Sequence, residues 1–597
     1  MPTNKKSLLA RFLIWRIKHI SHKQFVFLIS IVVGFLAGIG AMLIKNLTYL
    51  IQWLLEGKLV KDVHSAFYFI FPIIGFTLVY LYIKYILRNK VNHGIPSTLY
   101  AISKRKGIMK RFQMFGSLIA APITVGFGGS VGLEGPTVAT GAAFSSNLSR
   151  LLHLNQSTRT LLIGCAAAGA MASIFKAPIA AIIFAVEVFS LDLTLVSLIP
   201  LLLASVSAII TSYFFFGNDL ILPFQIEDSF QLRDIPFYIL LGLFAALISI
   251  YFSKIYELLQ SLFQRIKNPI NRLLIGGVAI GLLIYLIPPL YGEGFDVMNN
   301  LVQGNAEKAL ENNILHLDSS NTWIMIALLL GLMLSKVIAS GITFGAGGVG
   351  GIFSPTLFMG SIMGFSFAKL INQLGIGSIS ESNFTLVGMT GLMAGVLHAP
   401  LTAIFLIAEV TGGYELFIPL MITAAISFSV TKYFTPHSVY AMELGRKGEL
   451  ITHNKDHMVL TLMDLKSVVE QNFKVVHSEM TLGEIVQEAV VHSKRNIFPV
   501  VHPETQTLEG ILLLDDLRPV MFDQSLYSEI TARELMQNPP AIINLEQDRM
   551  TDVMKKFQET GAWNLPVVSE NSYFGFISKS KLLTAYRRKL IDFSGNK

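Results

Sequence analysis

Charge is scarce in this sequence. Asp, Glu, Lys and Arg supply 14% of its 597 residues, where soluble proteins carry about 25%. The shortage excludes a chain that meets water over most of its surface. With 52% hydrophobic residues and a mean hydropathy of +0.57, it leaves a polytopic membrane protein. Cysteine is almost missing as well, and the single Cys165 excludes an internal disulfide. The first 23 residues hold six Lys or Arg and no acid. They lack the short apolar region and small-residue cleavage site of a signal peptide. The positive-inside rule therefore puts this basic, amphipathic segment in the cytoplasm. The net charge of +8 fits the same rule acting on short loops, which makes nucleic-acid binding the poorer reading. No nucleophile–base pair and no metal-ligand spacing such as HExxH occurs, so an intramembrane enzyme is disfavoured and no metal is expected.

What the chain has instead is long apolar runs, at 25–43, 66–83, 235–250, 273–290 and 323–334 with its flanks. Each approaches or exceeds the roughly 20 residues that span hydrocarbon. Hydrophobicity ends near Phe434, and from Met442 onward charges are interspersed with short β-like runs. The expected organisation is a basic N-terminal helix (1–24), a membrane domain (25–441), a linker (442–464) and a soluble tail in two modules (465–525 and 526–597). In fold class this is an all-α polytopic membrane domain followed by an α+β pair.

Both parts repeat internally. Gly128-Gly129-Ser-Val-Gly132-Leu-Glu-Gly-Pro136-Thr137 aligns with Gly347-Gly348-Val-Gly-Gly351-Ile-Phe-Ser-Pro355-Thr356 at an offset of 219. Gly169…Ala177-Pro178…Glu187-Val188 aligns with Gly391…Ala399-Pro400…Glu409-Val410 at an offset of 222. Duplicated halves with Gly/Pro-interrupted apolar segments in matching places point to a transport site. Pro136 and Pro355 each suit the opening of a helix. The first N–H groups of such helices have no intrahelical partner and, with the helix dipole, attract anions. Glu134 stands among them, although a charge in hydrocarbon costs about 2.5–3.5 kcal/mol or more. It reads as a tethered substitute for a bound anion, released by protonation. It also reads as a plain helix cap or as a partner of Lys176.

These residues resemble the CLC family of chloride channels and proton/chloride antiporters. GGSVGLEGPTV (128–138), GGVGGIFSP (347–355), VNHGIP (91–96) and PHSVYAMEL (436–444) match the family's signatures in order, and the resemblance spans about 25–440. It implies an inverted-repeat bundle of tilted and broken helices in a bacterial inner membrane, both termini cytoplasmic. It also implies a homodimer with an anion pathway in each subunit, and no required cofactor beyond chloride or a similar small anion. Carried over by position, Glu134 is the gating glutamate. Backbone N–H groups of Leu133 to Gly135 and of Ile352 and Phe353 hold the anion, with Gly94 beside it, and the Tyr440 hydroxyl donates to the central site. Two positions depart from the family. His93 stands where a pore serine is usual; imidazole donates one hydrogen bond as serine does, but it gains charge near pH 6–7. A turned-away His93 leaves only backbone donors. Val188 stands where antiporters carry a proton-transfer glutamate, and valine holds no proton. Glu187, one residue earlier, lies about 100° around a helix and faces elsewhere. This departure leans toward a channel or weakly coupled conduction, with coupled antiport by another proton route as the alternative.

In the tail, Asn496-Ile-Phe-Pro499-Val500-Val501 before Gly510…Leu517 parallels Asn564-Leu-Pro566-Val567-Val568 before Gly575…Leu582. Each copy reads strand, turn, strand, helix and resembles a CBS module. Such pairs often bind adenine nucleotides through a Ser/Thr-x-x-Asp segment. The first copy keeps Asp516 but has Leu513, while the second keeps Ser578 but has Lys581, so a structural role is the stronger expectation. A protein of another class, a membrane-anchored sensor reading a ligand through this pair, would need no duplicated broken helices. Replacing His93 by Ser should retain chloride transport while changing selectivity among chloride, nitrate and fluoride. It should also shift any pH response centred near 6–7. Liposome flux at several pH values tests this, and identical profiles would place His93 away from the ion.

Overall fold

The computed structural model describes residues 8–55, 67–89, 94–191, 194–217, 230–310, 321–446, 460 and 463–594. His93 and most of the linker 442–464 lie outside the described residues. The chain divides into two compact units, Met1–Leu450 and Ile451–Lys597.

Among its described residues the first unit has helices and no named strand. Among the described residues, eight helices are long and apolar enough to cross a membrane, including His22–Leu55, Leu232–Arg265 and Thr322–Ala346. Shorter apolar helices such as Gln113–Gly126, Pro178–Phe189 and Pro400–Val410 cannot span hydrocarbon, which needs about 20 residues. A helix that ends short of the hydrocarbon's width needs partners from the chain itself for its end backbone groups. Five helices concern the site: α1 (Gly94–Lys104), α2 (Glu134–Leu151), α3 (Pro178–Phe189), α4 (Phe353–Gln373) and α5 (Pro400–Val410). Pro136 and Pro355 stand third in α2 and α4, two residues inside the helix starts. Proline is tolerated there because the first-turn N–H groups have no intrahelical acceptor to lose.

The repeat seen in the sequence is a repeat in space, with bonds that run both ways across it. Gly132 N–H donates to Gly351 C=O at 2.8 Å, and Gly351 N–H donates to Gly132 C=O at 2.7 Å. Ser130 N–H donates to the Thr343 hydroxyl at 3.2 Å, and Val349 N–H to the Thr124 hydroxyl at 3.0 Å. Gly128 and Gly347 both take positive φ, 96° and 101°, a region that glycine enters without steric cost. Reciprocal bonds of this kind are what a local two-fold between halves produces. The same symmetry holds α3 and α5. Glu187, near the end of α3, accepts from the N–H groups of Leu401 (3.0 Å) and Thr402 (2.8 Å) at the start of α5. Glu409, near the end of α5, accepts from Ile179 (3.0 Å) and Ala180 (2.8 Å) at the start of α3. Each carboxylate satisfies two orphan donors of the other half and meets the positive end of its dipole.

The second unit holds two three-stranded sheets of matching order. β1 (Val476–His477), β2 (Ile497–Val501) and β3 (Leu508–Leu513) form one; β4 (Ile543–Asn544), β5 (Asn564–Ser569) and β6 (Ser572–Ser578) form the other. In each, the short first strand is parallel to the second, and the second is antiparallel to the third. The two modules trade their leading segments. Glu470 bridges Phe576 of β6, and Gln537 bridges Ile511 of β3. Leu465 and Val468 lie in the core with Ile543, Val567 and Ile577. Ala532, Ile530 and Leu535 lie with Phe498, Val500 and Leu512. The two cores are therefore not divided at 525/526, because each module covers its apolar face with chain that precedes the other's strands.

Glu470 also binds the Ser578 hydroxyl at 2.6 Å and the Arg495 guanidinium at 2.5 Å. Burial by itself would raise its carboxyl, but these two hydrogen bonds and the charges of Arg495 and Lys581 hold it below the usual range. Glu470→Ala should cost about 2 kcal/mol, hydrogen bonds to charged groups being worth about 1.5–3 kcal/mol. Faster amide exchange across 572–578 than in wild type would register the loss. A depressed folded-state pKa gives stability that is present above the unfolded value and lost as pH falls through the folded one. Wild type should therefore approach the variant's exchange rates on acidification, and the variant should change less.

Candidate functional site

The starts of α2 and α4 face one another across the Gly132–Gly351 bridge. Neither preceding residue, Leu133 or Ile352, carries a side chain able to cap a helix, so the first N–H groups are left to other acceptors. The approach is too close for side chains. A Cβ on Gly351 would lie 2.9 Å from Gly135 N, and a Cβ on Gly94 would lie 2.7 Å from the Gly135 carbonyl carbon. Gly94 at the start of α1 thus packs directly on the first turn of α2.

Glu134 lies at this junction, completely buried. One carboxylate oxygen accepts from the Ser354 hydroxyl; the other has no hydrogen-bond partner among the described residues. The N–H groups of Glu134 and of Ser354 face the carboxylate, so one negative group sits against both helix starts. Lys176 instead donates to the Gly217 carbonyl at 2.8 Å and lies over the Tyr213 ring. The partner of Glu134 is a hydroxyl. A Cβ on Gly132 would collide with the second oxygen, which explains glycine at that position.

Leu133, Gly135, Ile352 and Phe353 are all buried around this carboxylate. The Phe353 ring packs on Phe175, with centroids 5.2 Å apart, and edge-on to Phe184, which fixes the α4 start within an apolar shell. Tyr440 is buried, and its hydroxyl has no partner among the described residues. The Leu133 N–H points elsewhere, donating to the Glu293 carboxylate at 3.0 Å. Val188 is partly buried near the end of α3, beside a Glu187 already committed to α5. Among the described residues, no group of three or more His, Cys, Asp or Glu could hold a metal.

Ser354 and Glu293 were not legible as site residues. Ser354 is the repeat counterpart of Gly135, so its meeting with Glu134 needs the two-fold. Glu293 offered one signal, an acid between two glycines in an otherwise apolar stretch, LIPPLYGEGF. In the soluble unit, the Ser578 hydroxyl goes to Glu470, and Asp516 accepts from Gln537 at 2.9 Å.

Paired broken helices around a buried acid, in a duplicated membrane domain followed by a two-module α/β unit, define a membrane transport protein. Residues 74–432 match the voltage gated chloride channel family and residues 532–588 the CBS domain. The chain belongs to the voltage-gated chloride channel (CLC) family, whose members carry anions across membranes and are not enzymes. A ClcB-like protein of Ralstonia nicotianae is 30% identical over 389 residues, covering 63% of this chain and 85% of the relative. The H(+)/Cl(-) exchange transporter ClcA of Vibrio cholerae is 26% identical over 441 residues, 70% of this chain and 89% of the relative. A slow cyanobacterial Cl-/H+ antiporter shares the fold with a TM-score of 0.62 at 21% identity, over 71% of this chain and 97% of its own. A eukaryotic CLC transporter aligns over 93% of this chain and 98% of its own, with a TM-score of 0.56 at 15% identity.

Proposed function

We propose that the chain forms a homodimer in a bacterial inner membrane, both termini cytoplasmic, and that each subunit passes chloride or a similar small anion between the starts of α2 and α4 with Glu134 as the gate. The observation that carries this reading is the buried Glu134 carboxylate facing the first N–H groups of both helices. An anion would seek the same donors, so anion and carboxylate compete for them. Protonation removes the carboxylate's charge and with it most of its claim on the helix starts. The Tyr440 hydroxyl, buried without an acceptor among the described residues, is a donor available to an ion further along. A membrane-anchored sensor accounts for none of these groups.

Conduction on this reading is passive or weakly coupled to protons. The relay position is Val188, and the neighbouring Glu187 carboxylate already accepts from Leu401, Thr402 N–H and the Thr402 hydroxyl. The exchange activity named for the Vibrio cholerae relative favours a second reading, coupled antiport by way of water or His93. For the soluble pair we infer a structural role rather than adenine-nucleotide binding, since both side chains expected to meet a nucleotide bind neighbouring residues of the chain.

Glutamine has the shape of glutamate without its charge, so Glu134→Gln should keep or raise chloride flux into liposomes and lose most of its pH dependence. A variant with the wild-type pH profile would remove Glu134 from the gate. A chloride gradient across proteoliposomes of the wild type should drive little uphill proton movement. Robust pumping at a fixed chloride-to-proton ratio would instead establish the antiport reading.

A further inference from the structure

A second acid approaches the same helix start. Glu293 sits in the turn between Pro269–Leu286 and Phe295–Val302, flanked by Gly292 and Gly294 at positive φ, 60° and 84°. This backbone conformation suits glycine and brings the carboxylate inward. The turn is pinned on both sides. The Tyr291 hydroxyl donates to Gly126 C=O at 2.5 Å, and the fully buried Lys336 ammonium donates to Gly292 C=O at 2.9 Å and lies over the Phe358 ring. Held this way, Glu293 accepts the Leu133 N–H at 3.0 Å, one residue before Glu134. The charged groups whose fields reach it are Glu134 from α2, Lys45 from His22–Leu55 and Lys336 from Thr322–Ala346.

The result is two carboxylates at one helix start, with the Lys336 ammonium bonded to the turn that carries Glu293 and the Lys45 charge within electrostatic reach. A purely structural cap needs only the Leu133 bond. It gives no reason to place a second acid one residue from an acid that is already buried, since neighbouring like charges disfavour joint ionisation. Glu134 moreover has one oxygen with no hydrogen-bond partner among the described residues, so a second acid there draws on a limited set of donors. That is an arrangement in which one negative group has to leave or take a proton when another arrives.

We propose that Glu293 is a second tethered anion of the pathway, holding the Leu133 N–H until a transported anion displaces it. The inference rests on the anion pathway described under Proposed function. Lys45 and Lys336 then serve both states: they balance the Glu293 carboxylate when it is seated, and they attract the incoming anion when it is not. Glu293 acts as a competitor and does not itself hold the ion. Its removal should strengthen anion binding, where loss of an ordinary ligand would weaken it.

The test uses the full-length chain with chloride as the probe. In detergent, calorimetric titration of Glu293→Gln and Glu293→Ala should each show chloride binding about tenfold tighter than wild type, the size of one charge-assisted hydrogen bond. In liposomes, Glu134→Gln should keep a residual pH dependence of chloride flux that the Glu134→Gln/Glu293→Gln double variant loses. If the alanine variant does not fold, the isosteric glutamine carries the test. Wild-type chloride affinity in the Glu293 variants, with wild-type flux and the Glu134→Gln effect intact, would overturn the role of Glu293 alone. A wild-type protein that moves no anion would overturn the pathway reading and this one together.

Discussion

Backbone polarity in a place without water is the constraint from which the rest follows. A helix that begins inside the hydrocarbon exposes N–H groups that nothing in the helix can satisfy, and each unsatisfied group costs several kcal/mol. The protein meets this need with carboxylates from elsewhere in the chain. Glu187 and Glu409 serve the starts of α5 and α3, where the bonds are reciprocal and permanent in character, each acid holding two amides. At the starts of α2 and α4 the arrangement differs. The acid that faces them is only partly satisfied, and the residues before them cannot cap. The same physical demand is met structurally at one pair of helix starts and, on the proposed reading, left open to competition at the other.

Close approach is the second half of that design. The Gly132–Gly351 bridge brings the two open helix starts together, and glycine at 94, 132 and 351 removes the side chains that would hold them apart. Small residues at helix contacts allow backbones in a membrane to approach in this way. The charge on Glu134 is tolerable because the donors of two helices converge on it; at the start of a single helix it would be less well compensated.

Exchange between copies also organises the soluble unit, where each module completes the sheet of the other through Glu470 or Gln537. The two residues suggested for nucleotide contact, Ser578 and Asp516, are drawn into those same crossings. Their side chains bind residues of the neighbouring module's leading segment, which ties the pair together.

The sequence by itself determined the class, the duplication and the place of the broken helices. Composition, the offsets of 219 and 222 and the Gly/Pro pattern are local properties, and a charge amid apolar residues marks Glu134 without any knowledge of the fold. That Val188 holds no proton was equally legible, since it depends on residue type alone. Only the tertiary structure decided the partners. Glu134 meets Ser354 because a two-fold brings residue 354 across to residue 134, and Glu187 meets the start of α5 for the same reason. Glu293 reaches Leu133 because a glycine-flanked turn, pinned by Tyr291 and Lys336, brings a residue 160 positions further along the chain back onto α2. No periodicity encodes such contacts, because they depend on the packing of distant helices, and their energies arise only when burial has removed the water that would otherwise take each group.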